Sequence, residues 1–181
     1  MLPADPWPLL FPVFSRGTGK GVEFSATWSD GPLSAWGNLA IAKLDGRQIV
    51  GGQASFTAAQ LAAAAGHDIA GNSDQRIAGS AGLAWRTGPL RLSGDIAFGS
   101  GLPRSGALDA PNSASLPAWS TVNLAAVYRV QGLGHRPLDI RLDVLNAFDQ
   151  SQKLQDGTSL MGGTALWRPR RGIFVGLEQE L

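Results

Sequence analysis

The chain has 181 residues, with 15 Lys or Arg against 14 Asp or Glu, a net charge of +1, 24 Gly and no Cys. A balance this neutral provides no field for nucleic acid, and the missing Cys removes disulfides, thiolate metal sites and Cys nucleophiles. Charged residues at 16%, against a usual ~25%, argue against a disordered chain, and the abundant Gly against a helical bundle.

From Gly21 the sequence alternates. Val22, Phe24, Ala26 and Trp28 share one side, and Glu23, Ser25, Thr27 and Ser29 the other, the period-two signature of a strand. Asp30-Gly31-Pro32 predicts a turn. Leu33 to Leu44 returns, with Ala35, Leu39 and Ile41 opposite Ser34, Asn38 and Ala42. Further on, Thr57-Ala58-Ala59-Gln60 predicts a capping box, a short Ala-rich helix and a C-cap at Gly66. His67 follows, expected to be exposed. A ligand role for it is disfavoured, because metal ligands come in sets and His135 is the only other imidazole.

The same hairpin pattern recurs. Ile77, Gly79, Ala81, Leu83 and Trp85 oppose Arg76, Ser80 and Arg86, Thr87-Gly88-Pro89 turns, and Leu90, Leu92, Ile96 and Phe98 oppose Arg91, Ser93, Asp95 and Ala97. Next, Val122, Leu124, Ala126, Tyr128 and Val130 alternate with Thr121, Asn123, Ala125 and Arg129. After a turn over 131–137, Leu138, Ile140, Leu142 and Val144 alternate with Asp139, Arg141 and Asp143. Ile173, Val175, Leu177 and Leu181 close the chain. Seven strands are clear, and the apolar Trp7–Phe14 stretch is a candidate eighth.

Three features predict an all-β fold of a particular kind, an antiparallel transmembrane β-barrel segment of about eight long strands spanning residues 1–181. The strands run to roughly 10–13 residues, beyond the ~5–6 typical of soluble sheets. Connections alternate between short turns and long segments at Asp45–Asp74, Leu102–Pro117 and Asp149–Arg171, as periplasmic turns and external loops do. Trp28, Trp85 and Tyr128 each precede a short turn on the apolar face, which predicts an interfacial aromatic girdle at a common height. Asp95, Asp139, Arg141 and Asp143 fall on the expected lumen face. They read as an ion-pair ladder rather than the paired carboxylates of a glycosidase. Gly17-Thr18-Gly19-Lys20-Gly21 and Gly99-Ser100-Gly101 lack the strand-to-helix setting of a phosphate loop, and no Ser has a His partner in a recognisable order. No catalytic, cofactor or metal residues are therefore expected. No run reaches the ~18–20 apolar residues of a membrane helix, and Asp5 with Pro3, Pro6, Pro8 and Pro12 does not fit a signal peptide.

Several segments are similar to the C-terminal barrel of TonB-dependent outer-membrane receptors. They are Gly19-Lys20-Gly21-Val22-Glu23-Phe24-Ser25-Ala26, then Ser73-Asp74-Gln75-Arg76 followed by Ala81-Gly82, and Gly99-Ser100-Gly101-Leu102. Asn146-Ala147-Phe148-Asp149 resembles the family's Asn-x-Phe-Asp strand end, and Pro169-Arg170-Arg171-Gly172-Ile173-Phe174-Val175-Gly176-Leu177 its final strand. The terminal Leu181 departs from the family's terminal aromatic. The resemblance implies a wall segment in the cell outer membrane, without the signal peptide, plug or TonB-binding segment. Its partners would be outer-membrane lipid, the rest of the barrel and the plug, with TonB engaged only through a missing N-terminal part. The whole receptor would import a scarce nutrient such as a ferric siderophore, cobalamin or a glycan, with no cofactor. The alternatives are a self-contained eight-stranded outer-membrane barrel with a structural or adhesive role, and a soluble binding barrel.

Overall fold

The computed structural model describes residues 12–106, 110–131, 136–160 and 164–179. The elements in order are β1 (Val13–Asp30), β2 (Leu33–Gly51), a 3-10 turn (Gln53–Ser55), α1 (Ala58–Ala64), β3 (Asp68–Ala70), β4 (Ile77–Thr87), β5 (Leu90–Gly99), β6 (Pro103–Arg104), β7 (Ala114–Ser115), β8 (Trp119–Val130), β9 (Leu138–Leu145), β10 (Lys153–Gln155), β11 (Leu166–Trp167) and β12 (Gly172–Gln179). Seven long strands form one antiparallel meander in the order β1-β2-β4-β5-β8-β9-β12, and the three-residue β3 adds to β2. The all-β expectation holds. The sheet is open: β1 and β12 are its edges, and no barrel closes among the described residues. The candidate eighth strand, Trp7–Phe14, falls mostly outside the described residues. Val13 and Phe14 begin β1, and residues 1–11, like Leu181 and His135, lie outside the described residues.

Turn chemistry sets the hairpins. Both Gly31-Pro32 and Gly88-Pro89 are two-residue loops in which the Gly takes φ 52 and the ring fixes the second position, the pattern of a type II′ connection. The first long connection is shorter than its sequence suggests, because β2 continues past Leu44 to Gly51 before the chain leaves the sheet. Within it Thr57 caps α1 as predicted. Gln60 N–H donates to Thr57 Oγ1 at 3.2 Å, Thr57 N–H donates to Gln60 Oε1 at 2.8 Å, and Gly66 takes φ 78 beyond the helix end.

The sheet has almost no interior of its own. The molecule exposes 12353 Å², against about 8,300 Å² expected for a compact soluble monomer of this mass. Its one apolar cluster sits under the long connections, where Ile49, Ala64, Ile69 and Leu160 are buried with Phe14, Phe56 and Leu61 against them. No helix among the described residues is long and apolar enough to cross a membrane, which says nothing of strands.

Candidate functional site

The register places every apolar position of the alternation on one face. Trp28 pairs with Ala35, Ala35 with Leu83, Leu83 with Gly94, Gly94 with Leu124, Leu124 with Val144 and Val144 with Ile173. The flanking rungs behave alike, so a continuous apolar surface crosses all seven long strands. It is open: Phe24, Leu83, Leu124 and Val175 are 63%, 52%, 50% and 73% exposed.

This surface is a band, and the band is inclined to the rungs. On β1 and β2 it ends at the Val22–Ile41 pair, beyond which Lys20 faces Lys43. On β8 the last apolar position is Val122, whose rung runs through Ile96, Ala81 and Gly37 to Ala26. That is four residues from Val22, over four strands. On β12 the edge is Ile173, whose rung reaches Trp28, six residues from Val22 over six strands. The edge is level over β1, β2 and β4, at Val22, Ile41 and Ile77, then drops through Phe98, Val122 and Val144, and averages one residue per strand across the sheet.

The three aromatics obey the same slope. Trp85 lies two residues beyond Leu83, the residue on Trp28's rung, and Tyr128 two residues beyond Ala126, the residue on Trp85's rung. Each displacement accrues over two strands. Trp28, Trp85 and Tyr128 thus occupy different rungs, and they come to one height only if the strands are tilted. A rise of about 3.4 Å across a spacing of about 4.8 Å is a tilt of about 35°, at the low end of the ~35–45° of membrane barrels. Ile41 to Leu33 spans eight residue steps, about 27 Å along the strand and about 22 Å at that tilt, close to the ~25 Å of a barrel's apolar belt.

The other face is polar and internally paired. The Arg129 guanidinium donates to both oxygens of Asp139 at 2.8 and 2.7 Å, and Arg141 to both of Asp143 at 2.6 and 2.8 Å. Asn123 donates to Asp95 at 2.8 Å and Ser80 to Asn38 at 3.1 Å. The four residues singled out from the sequence, Asp95, Asp139, Arg141 and Asp143, therefore share one surface, with Asp95 on the Asn123 rung and Asp139 six residues along β8 on the Arg129 rung. Each carboxylate has a side-chain donor. Trp36 is the large residue here, its ring lying over Gly82, where a Cβ would overlap it. Toward the short turns the same face carries an open groove of about 890 Å³ lined by Arg86, Arg91, Arg129 and Arg141 with Asp139 and Glu178.

At the opposite end the long connections are knitted together by two asparagines: Asn112, which the sequence did not single out, and Asn146, which it marked only as a motif residue. Asn112, 6% exposed at φ 48, donates to Ala70 O at 2.7 Å and Asn72 Oδ1 at 2.8 Å, and accepts from Leu160 N–H at 3.2 Å. One side chain joins all three connections. Asn146, 4% exposed at φ 49, donates to Gln150 O and Pro169 O and accepts from Gln150 N–H. Asp149 then accepts two bonds from Arg170, at 2.8 and 2.6 Å, and one from Arg171 N–H at 3.0 Å. The Arg170 guanidinium, helped by that N–H, holds the Asp149 carboxyl well below the usual carboxylate range. Asp74 plays a similar part earlier, accepting from Leu44 N–H at 2.7 Å and Arg76 at 2.6 Å. The Arg168 guanidinium stacks 3.4 Å over Trp119, and burial lowers its pKa. His67 is exposed as expected, and no cluster of three or more potential metal ligands occurs among the described residues.

No protein-family model matches the chain, and no curated protein matches it either.

Proposed function

We propose that this chain is a wall segment of a TonB-dependent receptor in the outer membrane, its apolar face against lipid and its polar face toward the lumen. The observation that carries the membrane assignment is the slope of the band. A stacked soluble sheet has its apolar face covered by a second layer; here that face is open, and its edge shifts by about one residue per strand on average. A wall of tilted strands in a flat bilayer must shift its edge in this way. The two open edges, β1 and β12, are then where further wall strands pair, and the Gly-, Ala- and Ser-rich polar face suits a wide or plugged lumen.

The receptor assignment rests on the motifs, and the structure gives their polar residues a shared task. Asp74, Asn146 and Asp149 fasten the strand ends that carry the long connections. Those connections would present the surface that captures a scarce nutrient such as a siderophore, cobalamin or glycan. Import would need the plug and the TonB-engaging part of a complete receptor.

The absence of native Cys makes the test clean. Single Cys residues at 83, 124 and 142, and at the adjoining positions 84, 125 and 143, are labelled with an environment-sensitive dye in vesicles containing lipid-chain quenchers. Quenching at the first set and not the second is expected. Equal quenching at both, or a monodisperse monomer in plain buffer, ends the membrane reading. Grafting the segment into an intact receptor and deleting residues 52–67 tests capture: unchanged ligand binding removes that connection from the claim.

A further inference from the structure

Immediately beyond the upper edge of the apolar band, the outward face of the β1–β2 hairpin changes character. Its successive rungs are Lys20 opposite Lys43, Thr18 opposite Asp45, and Arg16 opposite Arg47. Like charges directly opposite on an antiparallel ladder destabilise it, and here two such pairs flank one rung. Only Lys43 is neutralised, by Asp45 at 2.6 Å, and Asp45 is also approached by Arg76 at 3.8 Å. Asp68 pairs in register with Arg47 without forming an ion pair. Arg16, Lys20 and Arg47 therefore have no carboxylate partner among the described residues. The four cations line an open groove of about 330 Å³ with Asp45 and Asp68.

Position says what such a groove meets. It lies on the lipid-facing side, at the long-connection end. The Lys20–Lys43 rung is two residues above Val22, about 6 Å above the hydrocarbon edge at the tilt derived above, within the headgroup layer. We infer that this groove is a binding site for the phosphate groups of anionic lipid headgroups in that leaflet. Phosphate between the facing cations would relieve both like-charge pairs. Long Lys and Arg side chains can bend toward the interface to reach it. The inference rests on the membrane-wall reading of the same face.

The test is flotation of the full chain, refolded by dilution, with vesicles of phosphatidylcholine alone or doped with phosphatidic acid. Partition into phosphatidylcholine reads the apolar band, and the gain on doping reads the groove. Each cation near an anionic surface is worth roughly fivefold in partition, so a gain of about tenfold or more is expected. K20Q/K43Q should remove most of it, and R16Q/R47Q, four residues farther from the band, a smaller part. R86Q/R91Q takes away the same charge from the opposite face and the opposite end, and should keep the gain. Inorganic phosphate at matched concentration should not compete. No gain on doping, a gain that survives both groove variants, an equal loss in R86Q/R91Q, or competition by inorganic phosphate overturns the site while leaving the wall intact. A chain that floats with no vesicle brings down the wall reading first and the site with it.

Discussion

The two halves of the β1–β2 hairpin make the most instructive comparison in the molecule. From Asp30–Leu33 to Phe14–Ile49 it is one ladder in one register. On the same face, its lower half presents Phe24, Trp28, Leu39 and Ile41, and its upper half Arg16, Lys20, Lys43 and Arg47. Backbone hydrogen bonding is indifferent to this change. On the proposed membrane-wall reading the two halves face different media, and the strand continues beyond the apolar band. The boundary between the halves recurs on the other strands, level as far as Ile77 on β4 and then stepping down to Val144 on β9.

A charge placed on either half breaks the comparison or sharpens it. Leu142 lies midway along the band segment of β9, between Ile140 and Val144 on the same face. Leu142→Arg should destabilise the lipid-embedded chain by about 2–4 kcal/mol, the cost of a midplane cation on a barrel's lipid face. Thr18→Glu lies on the same face above the boundary and should stay within about 1 kcal/mol. Denaturant titration of vesicle-embedded protein, followed by Trp fluorescence, measures both. Equal effects would mean that the boundary separates nothing.

A second contrast sets the two faces against each other. Gly82 is required because the Trp36 ring covers it from the neighbouring strand on the polar face, and Gly79 because Phe98 does so on the apolar face. Gly82→Val should cost about 1–3 kcal/mol by forcing the ring off its rotamer. The companion Trp36→Ala in the Val background should restore part of that loss, read by the same titration. Absence of coupling in the double variant would show that the ring does not hold the sheet there.

The strands were legible because alternation is a local pattern and survives without a core. The capping box at Thr57 and Gln60 was legible for the same reason: its partners are three residues apart. The slope of the band was not, since it exists only once seven registers are fixed together. On the sequence alone Trp28, Trp85 and Tyr128 share a height because each precedes a turn, and only the rungs reveal that this height is an inclined line. Asn112 escaped notice, and Asn146 stood only as a motif residue without a structural role, because their partners lie up to 48 and 23 residues away. A positive φ at a buried Asn is invisible until the loop is folded. The resemblance pointed to Asn146, Asp149 and Arg170 as motif residues without saying that the two motifs touch.

The smallest expected effect concerns that contact. Asp149 accepts from Arg170 and from Arg171 N–H, and its carboxyl is held below the ordinary carboxylate range. A depressed folded-state pKa means the clamp's contribution is fully present above the unfolded value of ~3.9 and is lost only as pH falls through the folded value. The β9–β12 junction should therefore keep its protection against amide exchange down to about pH 4 and lose it only in stronger acid. Asp149→Asn keeps the shape but removes the charge, so its protection should be weaker and independent of pH across that window. A wild-type junction whose protection does not fall in acid below pH 4 would show that Asp149 titrates as an ordinary exposed carboxylate. The two motifs would then meet without a charge-assisted clamp between them, and Asn146 with its bonds to Gln150 O and Pro169 O would be what holds the junction.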